Sequence, residues 1–113
     1  MAKEASDNEE HVPSWAFDYE YKDGKDKKLI ILTMTDEAKK DKPQWIKKID
    51  KSECGGKSVS LQYDEYYELF EDETIKMRVE FDGAYKEDIL VWFEEPGEKN
   101  DILKAQFRLT QKK

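Results

Sequence analysis

Residues 57–81 run Lys57-Ser-Val-Ser-Leu-Gln-Tyr63, then Asp64-Glu-Tyr-Tyr-Glu-Leu-Phe-Glu-Asp-Glu73, then Thr74-Ile-Lys-Met-Arg-Val-Glu-Phe81. The hydrophobic period changes twice inside this stretch. Val59, Leu61 and Tyr63 alternate with Ser58, Ser60 and Gln62, the pattern of a strand with one face on a core. Tyr63, Tyr66, Tyr67 and Phe70 then recur at i, i+3, i+4 and i+7, which is one face of a helix. Ile75, Met77, Val79 and Phe81 alternate again, with Lys76, Arg78 and Glu80 between them. The expectation is a strand–helix–strand unit with its helix over residues 64–72. So short a helix is marginal alone and depends on burying its aromatic stripe. Asp64 and Glu65 suit the positive end of its dipole, whereas Glu71 and Asp72 oppose the negative end, so it stops there.

Toward the N-terminus, Trp15, Phe17, Tyr19 and Tyr21 alternate with Ala16, Asp18 and Glu20, a half-buried strand with four aromatics on one face. Asp23-Gly24 is a hairpin signal. Residues 28–35 form the next strand, whose run Leu29-Ile30-Ile31-Leu32 argues for burial on both faces. Pro43 closes the charged loop 36–42 and argues against a helix running through it. Residues 44–49, with Trp45, Ile46 and Ile49, fit a third strand or one turn of helix, the strand better. Gly55-Gly56 frees the backbone before Lys57. Toward the C-terminus, Asp82-Gly83 and Pro96-Gly97 mark turns. Between them, residues 88–94 hold a continuous apolar run of strand length. Leu103, Ala105, Phe107 and Leu109 alternate as the last strand.

The count is six to seven strands and one helix, in the order β-β-(β)-β-α-β-β-β. Strands joined by tight turns pair antiparallel. The expected fold class is therefore α+β, a predominantly antiparallel sheet with one short helix packed on it. Phe17, Ile30, Leu32, Leu61, Tyr67, Phe70, Val79, Val91 and Phe107 are the expected core. The two halves each read as a short meander, with no residue-level repeat between them.

The length of 113 residues suits one domain, expected at 13–113 behind a disordered acidic tail at 1–12. Charged residues make up 42% of the chain, well above the usual ~25%. Its apolar residues are periodic, however, and 12% are aromatic, which a disordered chain lacks. The net charge of −7 is unevenly spread. Residues 22–57 carry eleven lysines against seven acids, and residues 64–101 carry four bases against fourteen acids. An acidic chain is a poor general binder of nucleic acid, because affinity there comes from neutralising phosphates. One cysteine, Cys54, excludes an internal disulfide and suits a reducing compartment. The first ten residues lack the basic start and apolar run of a signal peptide, and Ala2 replaces the glycine that N-myristoylation requires. No apolar run approaches the ~20 residues of a membrane span. An intracellular, cytoplasmic protein without membrane insertion is the expectation.

Few residues suggest chemistry. His11 is the single histidine and falls in the tail, so a hydrolase-type relay has no ordered base and a Cys/His zinc site has no ligands. Lys51 and Lys57 beside Cys54 would lower its thiol pKa, but no catalytic partner is in view and an incidental loop cysteine is the favoured reading. Glu71-Asp72-Glu73, Glu87-Asp88 and Glu94-Glu95 fall in turns and at element ends. They read as a solvated acidic surface rather than an acid–base pair or a calcium loop. There is no glycine-rich phosphate loop. No cofactor, metal site or catalytic residue is expected, and the chain is not expected to be an enzyme.

Trp15, Tyr19, Tyr21 and Trp45 adjoin Lys22, Lys25, Lys27 and Lys28, and Lys47, Lys48, Lys51 and Lys57. This has the composition of a single-strand binder, in which bases stack on aromatics and lysines neutralise phosphates. Trp45 with Lys47, Lys48, Lys51 and Lys57 is the candidate set. Period-two aromatics normally face inward, which favours reading them as core. Gly56-Lys57-Ser58-Val59-Ser60-Leu61, followed by Glu65-Tyr66 and Leu69, resembles the last-strand-into-helix junction of whirly-type single-strand-binding folds, including the positive-cofactor and PUR-repeat families. Those families run four strands and then a helix, as residues 15–72 would, and bind DNA or RNA through a basic sheet face as dimers. The resemblance implies that architecture for about half of the chain. The acidic block at 64–101 and the strands after the helix depart from it.

The function expected from the sequence is a non-catalytic protein-interaction module. Its acidic surface, Glu68, Glu71, Asp72, Glu94 and Glu95, would steer it to a basic partner. Tyr66 and Trp92 would be the exposed aromatic anchors. The alternatives are a single-stranded nucleic-acid-binding domain using the lysine-rich 22–57 region, and an acidic nucleic-acid mimic that inhibits a nucleic-acid-binding protein.

Overall fold

The computed structural model of the protein describes residues 12–25, 27–54, 61–82 and 87–112. It is one antiparallel sheet of six strands with a short helix on one face. The strands are β1 (Trp15–Asp23), β2 (Lys28–Asp36), β3 (Gln44–Asp50), β4 (Lys76–Phe81), β5 (Asp88–Glu95) and β6 (Ile102–Gln111). A 3-10 turn, Lys51–Glu53, follows β3, and helix α1 is Glu65–Glu71. The spatial order β1-β2-β3-β6-β5-β4 consists of two three-stranded meanders placed side by side, with β1 and β4 at the edges.

Local chemistry sets the joints. The β1–β2 hairpin closes through Gly24 N–H to Lys27 C=O at 2.7 Å. Asp36, fully buried at the end of β2, accepts from Ser14 N–H and Ala38 N–H, both at 3.0 Å, and so ties the start of β1 to the following loop. Lys42 takes a left-handed φ of 44° just before Pro43, which turns the chain into β3. Asp50 and Glu53 make a capping box around the 3-10 turn. Ahead of α1, Glu65 accepts from Gln62 N–H at 2.8 Å. Beyond it, Asp72 accepts from both Thr74 N–H and Thr74 Oγ1–H, an Asx turn that ends the helix. Gly97 has no room for a side chain, since a Cβ there would strike the Asn100 carbonyl in the turn before β6.

The period-two alternation sorts the sheet into two faces. One carries Phe17, Tyr19 and Tyr21, then Ile30, Leu32 and Met34, Trp45 and Ile49, Ile89, Val91 and Phe93, and Phe107 and Leu109. α1 lies on this face and buries Tyr66 and Leu69. Tyr66 packs on Phe107 at 5.8 Å, and Phe70 packs on Phe17 at 5.2 Å and Phe93 at 5.4 Å between ring centroids. The opposite face carries polar and charged residues around half-buried Leu29, Ile31, Ile46, Leu90 and Trp92. Among the described residues no helix covers it.

The meanders join through a short seam. β3 pairs with β6 only at Trp45–Gln111 and Ile46–Thr110. Beyond Ile46 the strands part around a cleft of about 620 Å³, lined in part by Lys47, Glu53, Tyr66, Leu103, Phe107 and Arg108.

Five expectations change. Among the described residues the order is β-β-β-α-β-β-β, without the strand expected immediately before the helix, while the count of six and the strand at residues 44–49 agree with expectation. Leu61, Gln62 and Tyr63 form a bend and turn rather than the end of a strand, and residues 57–60 lie outside those described. Leu61 and Val79 are half-buried beside the core, as are Phe17 and Phe70. Tyr67, expected in the core, is 54% exposed. The inward stripe runs Tyr63, Tyr66 and Leu69 with half-buried Phe70 beside them, so Leu69 takes the inward position and Tyr67 sits on the flank. Finally, β2 buries Ile30, Leu32 and Met34 completely but Leu29 and Ile31 only in part, because the second face of the sheet is uncovered.

Candidate functional site

Where α1 crosses edge strand β1, three tyrosines meet. Tyr19 and Tyr21, two residues apart on β1, point to the same face. Tyr67 leans over them from the flank of α1. Their ring centroids are 6.1 Å (Tyr19–Tyr21), 6.2 Å (Tyr19–Tyr67) and 6.4 Å (Tyr21–Tyr67) apart, and the rings cross at 83°, 79° and 69°. A cavity of about 290 Å³ opens between Tyr21, Asp64 and Tyr67.

Hydrogen bonds hold two of the rings in place. Tyr19 donates its hydroxyl to the Glu71 carboxylate. Tyr21 donates to the Tyr63 carbonyl at 2.9 Å, and Tyr63 donates in turn to Asp23 at 3.1 Å. Accepted by a carboxylate and partly desolvated, the Tyr19 phenol is held well above its ordinary pKa. Burial pushes Tyr21 up to about 12, against a smaller lowering by the Tyr67 backbone N–H. Burial, with Asp23 second, pushes Tyr63 to about 12. All three phenols are neutral at physiological pH.

The rim is acidic. Between Asp64 and Ile75 the chain has six acids and no base. Glu65, Glu68, Glu71 and Asp72 are exposed, and among the described residues none of the six is in an ion pair.

The residues expected from the sequence divide between the two faces. Glu68, Glu71 and Asp72 lie on or next to α1, beside the tyrosines. Tyr66, expected as an exposed anchor, is 1% exposed, because it faces Phe107 rather than solvent. Trp92 and Glu94 are on the opposite face. There the Arg78 guanidinium lies 4.0 Å from the Trp92 ring and reaches Glu94 at 3.4 Å. Glu95, half-buried at the end of β5, lies beside a β-bulge at Phe93/Glu94. Of the nucleic-acid set, Trp45 is 3% exposed, in edge contact with Trp15 at 5.2 Å, and has no ring face to offer a base. Lys47 and Lys48 point to opposite faces, and Lys51 lies over the Tyr63 ring at 5.6 Å. Lys57 lies outside the described residues.

The thiol of Cys54 is pushed up by burial and by Glu53 and Asp50, which outweigh Lys51, so Lys51 does not activate it. Among the described residues, no group of three His, Cys, Asp or Glu side chains is placed to hold a metal, and no helix is long and apolar enough to cross a membrane.

Sequence reasoning missed Asp64 and Tyr67 as site residues, and took Tyr19 and Tyr21 as base-stacking candidates rather than as neighbours of the acidic helix. The signal was the adjacent pair Tyr66-Tyr67. Two neighbouring helical positions point about 100° apart, so with Leu69 and Phe70 completing one stripe, Tyr67 is left outside it. The chain matches no protein-family model, no curated protein and no solved structure.

Proposed function

We propose that the protein is a non-catalytic interaction module that binds a basic partner through the α1 face at the β1 edge. The observation that carries this reading is Tyr67, 54% exposed and ringed by acids that are in no ion pair among the described residues. An exposed tyrosine beside a cavity supplies the rigid amphipathic contact typical of interface anchors. A concentrated negative field raises association rates with cationic partners and falls with salt. Glu68, Glu71 and Asp72 are the acids of this surface, joined by Asp64 and Glu65.

The test is a titration with a fluorescent lysine-rich peptide, a glutamate-rich peptide of equal length and a single-stranded oligonucleotide. The lysine-rich peptide is expected to bind at low salt and to weaken steadily as salt rises. The other two are expected not to bind. Failure of the lysine-rich peptide to bind at low salt, or tighter binding of the oligonucleotide, overturns the reading.

A further inference from the structure

We propose that Tyr19, Tyr21 and Tyr67, with Asp64, form an aromatic cage for the methylated ammonium group of a lysine on the basic partner, an inference that rests on the interaction-module reading above. Tyr21 and Tyr67 stand as adjoining walls, crossed at 69° with centroids 6.4 Å apart. Tyr19 meets both in edge contact, at 6.1 and 6.2 Å, and backs them. A ring face attracts a cation within ~6 Å of its centroid. Tyr21 and Tyr67 also line the 290 Å³ cavity, with Asp64 as its one acidic wall residue. Two ring walls and one carboxylate suit a cationic head group.

Methylation follows from the lining. The hydroxyls of Tyr19 and Tyr21 donate to Glu71 and to the Tyr63 carbonyl, which fixes the rings. A bare ammonium is a compact, strongly hydrated charge that gives up part of its water shell against the ring walls, whereas a methylated one carries fewer N–H groups and more apolar surface to lay on the ring faces. The carboxylate of Asp64 supplies charge without requiring three hydrogen bonds. Because Tyr19 and Tyr21 are held above the ordinary phenol pKa, they contribute rings rather than phenolate charge.

The probes are three versions of one lysine-rich peptide: unmodified, with a trimethyllysine, and with the uncharged tert-butyl isostere of that residue. Free choline is the fourth. Dissociation constants are measured with the full chain, and tyrosine ring resonances are followed by NMR. The trimethyllysine peptide is expected to bind about tenfold more tightly than either of the others. Tyr67→Ala should erase that preference, Tyr67→Phe should keep it, and Asp64→Asn should weaken the cationic peptides but not the isostere. Equal binding of the three peptides, unchanged in Tyr67→Ala, overturns the cage. The module reading survives that outcome if binding still falls with salt and in Glu68→Lys/Glu71→Lys. Binding of choline with shifts at Tyr67, and of no peptide, overturns the lysine assignment in favour of a free ammonium ligand. Binding of neither overturns both.

Discussion

The two faces of the sheet use charge in opposite ways. On the uncovered face, bases and acids alternate across neighbouring strands and neutralise one another. Arg78 reaches Glu80 at 2.7 Å and Glu94 at 3.4 Å, and Arg108 bridges Asp82 at 2.6 Å and Asp88 at 2.9 Å. Nearby, Lys76 meets Asp101 at 2.8 Å. On the helix face, the acids from Asp64 to Glu73 meet no base among the described residues, and they surround tyrosines rather than aliphatics. The difference separates surface that needs no partner from surface that gains by finding one. Exposed cross-strand pairs contribute little stability each but leave no strong field. A run of like charge on a short helix raises the cost of folding through self-repulsion, and a cation relieves it.

The largest effect expected is on the buried side of the helix. Tyr66→Ala removes a 1% exposed ring from its contacts with Phe70 and Phe107 and should destabilise the fold by about 3–5 kcal/mol in denaturant titration. Tyr67→Ala, on the next residue, should change stability by well under ~1 kcal/mol. Similar losses for the two would remove the distinction between core and rim on α1.

The second effect is alkaline. The folded-state pKa values of Tyr21, Tyr63 and Tyr66 are raised to about 12 from an ordinary 10. A raised value means that the neutral form is favoured in the fold. Their contribution is therefore fully present below pH 10 and is lost as pH climbs to 12. Stability followed by circular dichroism should be flat from pH 7 to 10 and fall above it, with the ring resonances of Tyr21, Tyr63 and Tyr66 titrating only as unfolding begins. Ionisation of those three near pH 10 with no loss of structure would contradict the packing of the α1–β1 corner.

The smallest effect expected is on the neutralised face. Arg78→Ala breaks two exposed ion pairs and the stacking on Trp92, and should cost at most about 1 kcal/mol. Affinity for a lysine-rich peptide should not change. A loss of affinity would move the binding surface to Trp92 and Glu94.

Much of the fold was legible because sheet periodicity is written into single residues. Trp15, Phe17, Tyr19 and Tyr21 announced β1, and the alternation of Phe107 and Leu109 announced β6, since one face of each strand is buried and the other is not. The Asp23-Gly24 and Pro96-Gly97 turns were equally plain. The turn at residues 61–63 was not. Val59, Leu61 and Tyr63 alternate as strand residues do, yet Leu61–Tyr63 turn into α1 because Tyr63 is the first residue of the helical stripe. The two periods share that residue, and local pattern does not say which owns it. The site was half legible for a similar reason. The acids of α1 are visible in the sequence, but which of Tyr66 and Tyr67 points outward depends on where the sheet lies beneath the helix. That Glu94 and Trp92 are remote from Glu68 and Glu71 is a consequence of strand pairing, which composition does not record.

The most direct measurement compares charge reversal on the two faces. Association rates of a fluorescent lysine-rich peptide are measured across ionic strength for Glu68→Lys/Glu71→Lys and for Glu80→Lys/Glu94→Lys. Both pairs change the net charge equally, so any general effect of charge cancels. The account predicts a low-salt association rate lowered on the order of tenfold or more by the helix-face pair, with a flatter salt dependence, and a much smaller change from the other pair. Equal losses from the two, or a larger loss from Glu80→Lys/Glu94→Lys, would contradict it.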